Sequence, residues 1–158
     1  MITHDYHIHT SFSSDCRAGM EAMCRAATER GIPEIGFTEH LDLNPWDETR
    51  GFFRPGAWWR ELERCRAEFA GRLLIRAGVE VGEPHRFSAE LAPFLRGFDW
   101  DYILGAVHFV GSRWIFRREA FEAPADVVYS EYLDEVQHMV AEADLDVVAH
   151  LDVIKRYG

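Results

Sequence analysis

Cysteine is scarce in this sequence. Cys16, Cys24 and Cys65 are odd in number and scattered along 158 residues. Such a set argues against a disulfide framework, and a reducing compartment, the cytoplasm, is the expected location. Long apolar runs are missing too. The longest are strand-sized, so no segment reads as a membrane span. His4 and Asp5 interrupt the N-terminus before any signal-peptide core could form. Tandem repeats, low-complexity tracts and linkers are absent. So is any basic surplus: 17 Lys and Arg face 27 Asp and Glu, a formal charge of −10. That balance argues against a nucleic-acid polymer or an anionic membrane as partner. A small anionic ligand stays open, because bound metal reverses a local field.

What is present is an ordinary globular composition, 47% hydrophobic and 28% charged, in a length that suits one domain. Short β-like runs alternate with helical segments. Strands are expected at 3–9, around Ile35 and Phe37, at 73–81, 101–107 and 145–149. Met20, Met23, Cys24 and Ala27 keep helical spacing, with Gly31 where a C-terminal cap belongs and Pro33 after it. Residues 41–57 read as a loop. Trp59, Leu62, Arg66 and Phe69 mark a helix ending at Gly71, and a short helix spans about 88–96 with Ser88 as its N-cap. Residues 109–126 are a long excursion. The strongest helix covers about 127–143, with Tyr129, Tyr132, Leu133, Val136, Met139 and Val140 on one stripe. Strand–helix alternation of this kind implies a parallel α/β sheet or barrel. About five β/α units are present, where a closed barrel usually takes seven or eight.

The chemistry lies in where the polar residues fall. His7 and His9 end the first expected strand, His40 the second, Glu80 the third, His108 the fourth and His150 the fifth. In a parallel barrel all those ends open on one face, where active sites are built. The i, i+2 spacing of His7 and His9 turns both rings to one side of a strand. Mixed imidazole and carboxylate donors suit zinc, iron or manganese. Each residue also has a plainer reading. An H-x-H pair is often no more than hydrogen-bonded surface histidines. His40 could be a loop histidine beside Glu39 and Asp42, Glu80 could pair with an arginine such as Arg76, and a lone histidine after an apolar strand is usually structural. The equivalent placement of all six favours metal.

Asp15 lies in the loop after the first histidine pair, where aspartates usually make turns or caps. His4 has the wrong alternation to join His7 and His9. His85 reads as a loop residue, His138 as the solvent side of a helix, and Cys24, Cys65, Trp58 and Trp59 as packing. Cys16 adjoins Asp15, and the Phe52–Phe53 loop could line a pocket. Lys155 and Arg156 follow His150, either as a solvated basic pair or as a phosphate-binding pair.

DYHIHTSFSSD, IGFTEHLD, GVEVG, GAVHF and VVAHLDVIKRYG resemble, in order and over essentially the whole chain, the motifs of the PHP (polymerase and histidinol phosphatase) superfamily, in its histidinol-phosphatase-like branch. The resemblance implies a distorted seven-unit (β/α) barrel with two to three divalent ions (Zn, Mn or Fe) at its C-terminal face. It implies that His7, His9 and Glu80 hold one ion, that Glu80 bridges to a second held by His108 and His150, and that Asp15 and His40 help hold a third. The family pattern closes with a D-x-H motif near the C-terminus, on a late barrel unit, and this sequence ends before any such motif. Residues 1–158 are therefore expected to be one PHP-like domain, incomplete at its C-terminus: a fragment of a longer protein, with a natural short form of depleted site as the alternative, and a missing C-terminal segment or a second copy of the chain as what could complete the site.

The implied activity is metal-dependent phosphomonoester hydrolysis, with L-histidinol phosphate as substrate and a metal-bound hydroxide as nucleophile. Lys155 and Arg156 would hold the phosphate, and no general acid is assignable. Two rivals stand beside it: the same chemistry on a nucleotide or phosphotyrosine, and a non-catalytic metal-binding fragment.

Overall fold

The computed structural model describes residues 3–156. Five parallel strands form one curled sheet in the order β1 (His4–Ile8), β2 (Glu34–Leu41), β3 (Leu74–Gly82), β4 (Tyr102–Ala106) and β7 (Val147–Val148). Helices α1 (Met20–Glu29), α2 (Pro55–Glu68), α3 (Ser88–Arg96) and α4 (Ala125–Glu142) form the connections. The expected α/β architecture, an open PHP-type barrel of five strands, is what the described residues make. The 109–126 excursion contains a small antiparallel hairpin, β5 (Phe109–Val110) with β6 (Arg113–Trp114), and a 3-10 turn at Arg118–Phe121. No helix among the described residues is long and apolar enough to cross a membrane.

Local chemistry accounts for the elements. α1 buries Met20, Cys24 and Ala27 on one face. It stops where Gly31 takes a φ of +69°, a conformation glycine enters freely. The Ile32 N–H then donates to Ala27 O at 3.0 Å and the Gly31 N–H to Thr28 O, closing the helix end. α2 begins at Pro55, earlier than the expected loop boundary, because proline's fixed φ suits a first helical turn. Trp58, Leu62, Cys65 and Phe69 of this segment enter the main core with Ile35, Phe37, Ile75, Val79 and Val81.

Two apolar expectations need correction. Phe53 is a buried core residue edge-on to Trp58, with ring centroids 6.0 Å apart, while Phe52 beside it is 48% exposed. Leu133 and Val140 of α4 are not part of its buried stripe, being 53% and 54% exposed. α4 buries the narrower stripe Val128, Tyr132, Val136 and Met139, and Leu133 and Val140 lie on its flank, outside that stripe.

Glycine shapes the concave face of the sheet. A Cβ at Gly36 would stand 2.0 Å from the Tyr102 hydroxyl, and one at Gly78 would stand 2.5 Å from its ring. Tyr102 therefore lies flat across β2 and β3 and donates to Tyr6 O at 2.7 Å, tying β4 to β1.

Candidate metal centre

Strand register assembles the site. His40 pairs directly with Glu80 across β2 and β3. Glu80 pairs with Leu104 of β4, whose chain runs on to His108, and Leu104 pairs with Val147 of β7, which leads to His150. On β1 the pairing shifts by one residue between Asp5 and Ile8. Simple alternation therefore does not run through this strand. His4 stays out of the cluster because it sits at the far end, 3.8 Å from Glu34, and not because of its parity.

Glu80 is the hub. It is fully buried, and its Oε2 lies 3.2 Å from His7 Nε2, 3.3 Å from His9 Nε2 and 3.2 Å from His40 Nδ1. Its Oε1 lies 2.7 Å from His150 Nε2 and 3.4 Å from His108 Nε2. The Arg76 alternative is overturned, since that guanidinium pairs with Glu34 and Asp101. Asp15 Oδ2 stands 3.5 Å from His40 Nε2. A cavity of about 610 Å³ contains these residues together with Phe116, Asp152, Lys155 and Arg156. The structure thus brings His7, His9, Asp15, His40, Glu80, His108 and His150 to one place, with Lys155 and Arg156 on its wall. His85 lies elsewhere. Its ring is buried against the Glu135 carboxylate at 2.6 Å, so it is an interior residue and not a plain loop one.

Several atoms of the cluster are left without a hydrogen bond. His40 Nδ1, Glu80 Oε2 and His108 Nε2 are buried and make no hydrogen bond. Each such group costs about 1–3 kcal/mol unless something else satisfies it. Their chemistry, imidazole nitrogen beside carboxylate oxygen, fits a divalent cation. Three compact groups could hold one: His7, Glu80 and His150; His9, His40 and Glu80; and His40, Asp42 and His108. These differ from the implied sets, since His7 pairs with His150 and His9 with His40.

The electrostatics point the same way. Burial opposes charge on His108, yet Asp42 and Glu80 hold its pKa well above the usual imidazole value. Burial likewise opposes charge on His40, but Asp15, Glu80 and Asp42 raise its pKa. Glu80 is held well below the usual carboxylate range, against the effect of burial, by His108, His150 and His7. Positive charge is favoured here. His9 is the exception: burial and the neighbouring His40 push its pKa down to about 4, leaving a neutral ring.

Reading the sequence alone missed the supporting residues. Asp42 Oδ1 stands 3.1 Å from His108 Nδ1, and it fits only because position 82 is glycine, where a Cβ would come within 2.2 Å of that oxygen. Glu83, at φ +45°, accepts the backbone N–H of His108 at 2.6 Å and of Phe109 at 2.9 Å, while Asn44 donates to its other oxygen. Burial raises the Glu83 pKa. Glu39 is fully buried and accepts from Thr10, Ser13 and Trp58. The available signal was acidic residues crowding the strand ends, as in TEHLD and GVEVGE.

Fold and cluster together define a class: a parallel α/β barrel whose strand ends gather metal-binding donors. The profile of the PHP domain family matches residues 5–158, and the chain belongs to that family. It is 29% identical over 171 residues to the histidinol-phosphatase of Lactococcus lactis, covering 98% of this chain and 58% of that protein. It is 28% identical over 170 residues to the "Probable histidinol-phosphatase" of Deinococcus radiodurans, covering 98% and 62%. The crystal structure of histidinol phosphate phosphatase from Lactococcus lactis, complexed with zinc, L-histidinol and phosphate, superposes with a TM-score of 0.92 at 26% identity. It covers 99% of this chain and 60% of that one. The chain therefore spans about three-fifths of the length of the relatives it matches.

Proposed function

We propose that this chain supports metal-dependent hydrolysis of a phosphate monoester, and that the substrate is L-histidinol phosphate. The observation that carries the reading is the convergence of five histidines on Glu80 in the cavity that Lys155 and Arg156 also line. The named activity of the relatives and the L-histidinol and phosphate bound in the similar crystal structure support the substrate. Divalent ions, when bound, acidify water and offset phosphoryl charge.

His7, His9, His40, Glu80, His108 and His150, with Asp15 beside His40, would hold those ions. Asp42 orients the His108 ring, and Glu83 fixes the backbone that presents it. Arg156 and Lys155 would bind phosphate oxygens, the guanidinium by its planar fork and the ammonium as a point charge. We place the protein in the cytoplasm, in keeping with its three free cysteines.

The test measures metal content and phosphate release on one sample. The metal-loaded chain is offered histidinol phosphate, mononucleotides, phosphotyrosine and phosphodiesters. Preferential release from histidinol phosphate is expected. A folded, metal-loaded chain that releases phosphate from none of them overturns the proposal.

A further inference from the structure

Ser13 is an unremarked residue in the loop after β1, yet its hydroxyl touches three groups at once. It donates to Glu39 Oε2 at 2.6 Å, accepts the His40 backbone N–H at 3.1 Å and lies 3.2 Å from His9 Nδ1. The side chain is almost completely buried, so water does not substitute for any of the three.

A hydroxyl has one proton to give and two lone pairs to receive with. The destination of that proton decides the rest. Glu39 accepts four hydrogen bonds. Its Oε1 takes the Thr10 hydroxyl at 2.6 Å and Trp58 Nε1 at 3.2 Å, and its Oε2 takes the Thr10 N–H at 2.9 Å and Ser13 at 2.6 Å. Four donors leave no place for a proton on this carboxylate. If Ser13 turned its hydrogen toward His9 instead, bare oxygen lone pairs would face each other across 2.6 Å in a dry interior, which is strongly repulsive. The Ser13 proton therefore belongs to Glu39. The His40 N–H fills one lone pair, and the other faces His9 Nδ1. That contact is attractive only if Nδ1 carries the ring proton.

We infer that Glu39, acting through Ser13, is a positioning device that locks His9 in the Nδ1–H tautomer and leaves its Nε2 lone pair bare toward Glu80. The consequence is specific. His9 Nε2 stands 3.3 Å from Glu80 Oε2, an acceptor that would otherwise draw the ring proton to Nε2 and block that nitrogen as a metal ligand. Glu39 lies on the helix side of the sheet, against Trp58, and touches no reacting atom. It acts on the opposite face through one hydroxyl, as outer partners of metal-bound imidazoles commonly do. The same loop contacts anchor residues 10–13, and so fix the approach of Asp15 to His40.

This inference rests on the metal-site reading, but its test does not require activity. Long-range proton–nitrogen correlation spectra of the metal-free, nitrogen-15-labelled chain at neutral pH report which ring nitrogen of His9 is protonated, with its resonances assigned by their loss in His9→Asn. The wild-type chain should show Nδ1–H. In Ser13→Ala the proton should move to Nε2, and zinc affinity should fall roughly 10–100-fold. Ser13→Thr, which keeps the hydroxyl, should restore both. A purely structural role for Ser13 would leave the tautomer unchanged. Nε2–H in the wild type overturns the inference, and needs no variant to fold. Nδ1–H persisting in a folded Ser13→Ala overturns it as well. The expected tautomers in a chain that binds no zinc would support the hydrogen-bond relay and sink the metal reading instead.

Discussion

Glu80→Gln is the most informative single change, because it removes one charge and almost no volume. The carboxylate sits among five imidazoles, with nitrogen atoms 2.7 to 3.4 Å from its oxygens. Unit charges 3.4 Å apart, the His108–Glu80 distance, interact by about 5 kcal/mol at an effective dielectric of 20, an upper figure before desolvation is counted. Removing one member of a buried charge pair costs about 3–5 kcal/mol in practice. That cost falls on the metal-free fold; for the metal, loss of even an outer partner of a ligand costs about 10–100-fold, so loss of Glu80 itself should lower zinc affinity by roughly a hundredfold or more. Two of the three compact donor groups contain Glu80, so more than one ion should be lost. The assay is titration against a chromophoric chelator, with elemental analysis of the dialysed protein and a thermal melt to confirm folding. A folded Glu80→Gln protein that binds the same number of ions within about threefold of wild-type affinity would refute the hub assignment.

The pH dependence follows from the two opposed shifts. The His108 pKa is raised in the folded state, so its contribution to the metal-free fold is complete below its ordinary value of 6.5 and is lost as pH rises through the raised value. Glu80 is depressed, so its contribution persists above the ordinary carboxylate value and is lost only in acid. Denaturant unfolding of the metal-free protein should therefore show stability declining above about pH 6.5, and His108→Gln should reduce that slope, leaving the share of His40, whose pKa is also raised. Zinc binding should release protons, with an affinity that rises with pH, checked by calorimetry in buffers of different ionisation enthalpy. Gly82→Ala should weaken zinc binding about 10–100-fold although it replaces none of the donor residues, since its Cβ would displace Asp42 from His108. Asp42→Ala should do the same, and an unchanged affinity in both would show that the His108 ring needs no outer partner.

Much of the architecture was legible in the residues. The alternation of apolar strands with amphipathic helices stated the α/β class. Candidate ligand positions stood out because each of these polar residues follows a mostly apolar run: Glu80 after AGV, His108 after LGAV, His150 after DVVA. Strand ends are where a parallel barrel exposes side chains, so position in the chain already carried the chemistry. The width of the buried stripe on α4 was not legible. Leu133 and Val140 obey helical spacing, but spacing says which residues share a face and not how far the neighbouring sheet extends.

Local sequence, then, determined the elements, their order and the identity of the metal-type donors, because backbone preferences and hydrophobic periodicity act over a few residues. The tertiary structure alone decided which donors meet. Register set His40 beside Glu80, the shift in β1 overrode simple alternation, and the absence of a side chain at Gly82 admitted Asp42. The contacts of Glu39 span 19 to 29 residues of sequence. Hydrogen bonds of that separation leave no periodic trace in a sequence. They arise only when the folded chain brings distant groups within about 3 Å, the range at which donors and acceptors interact.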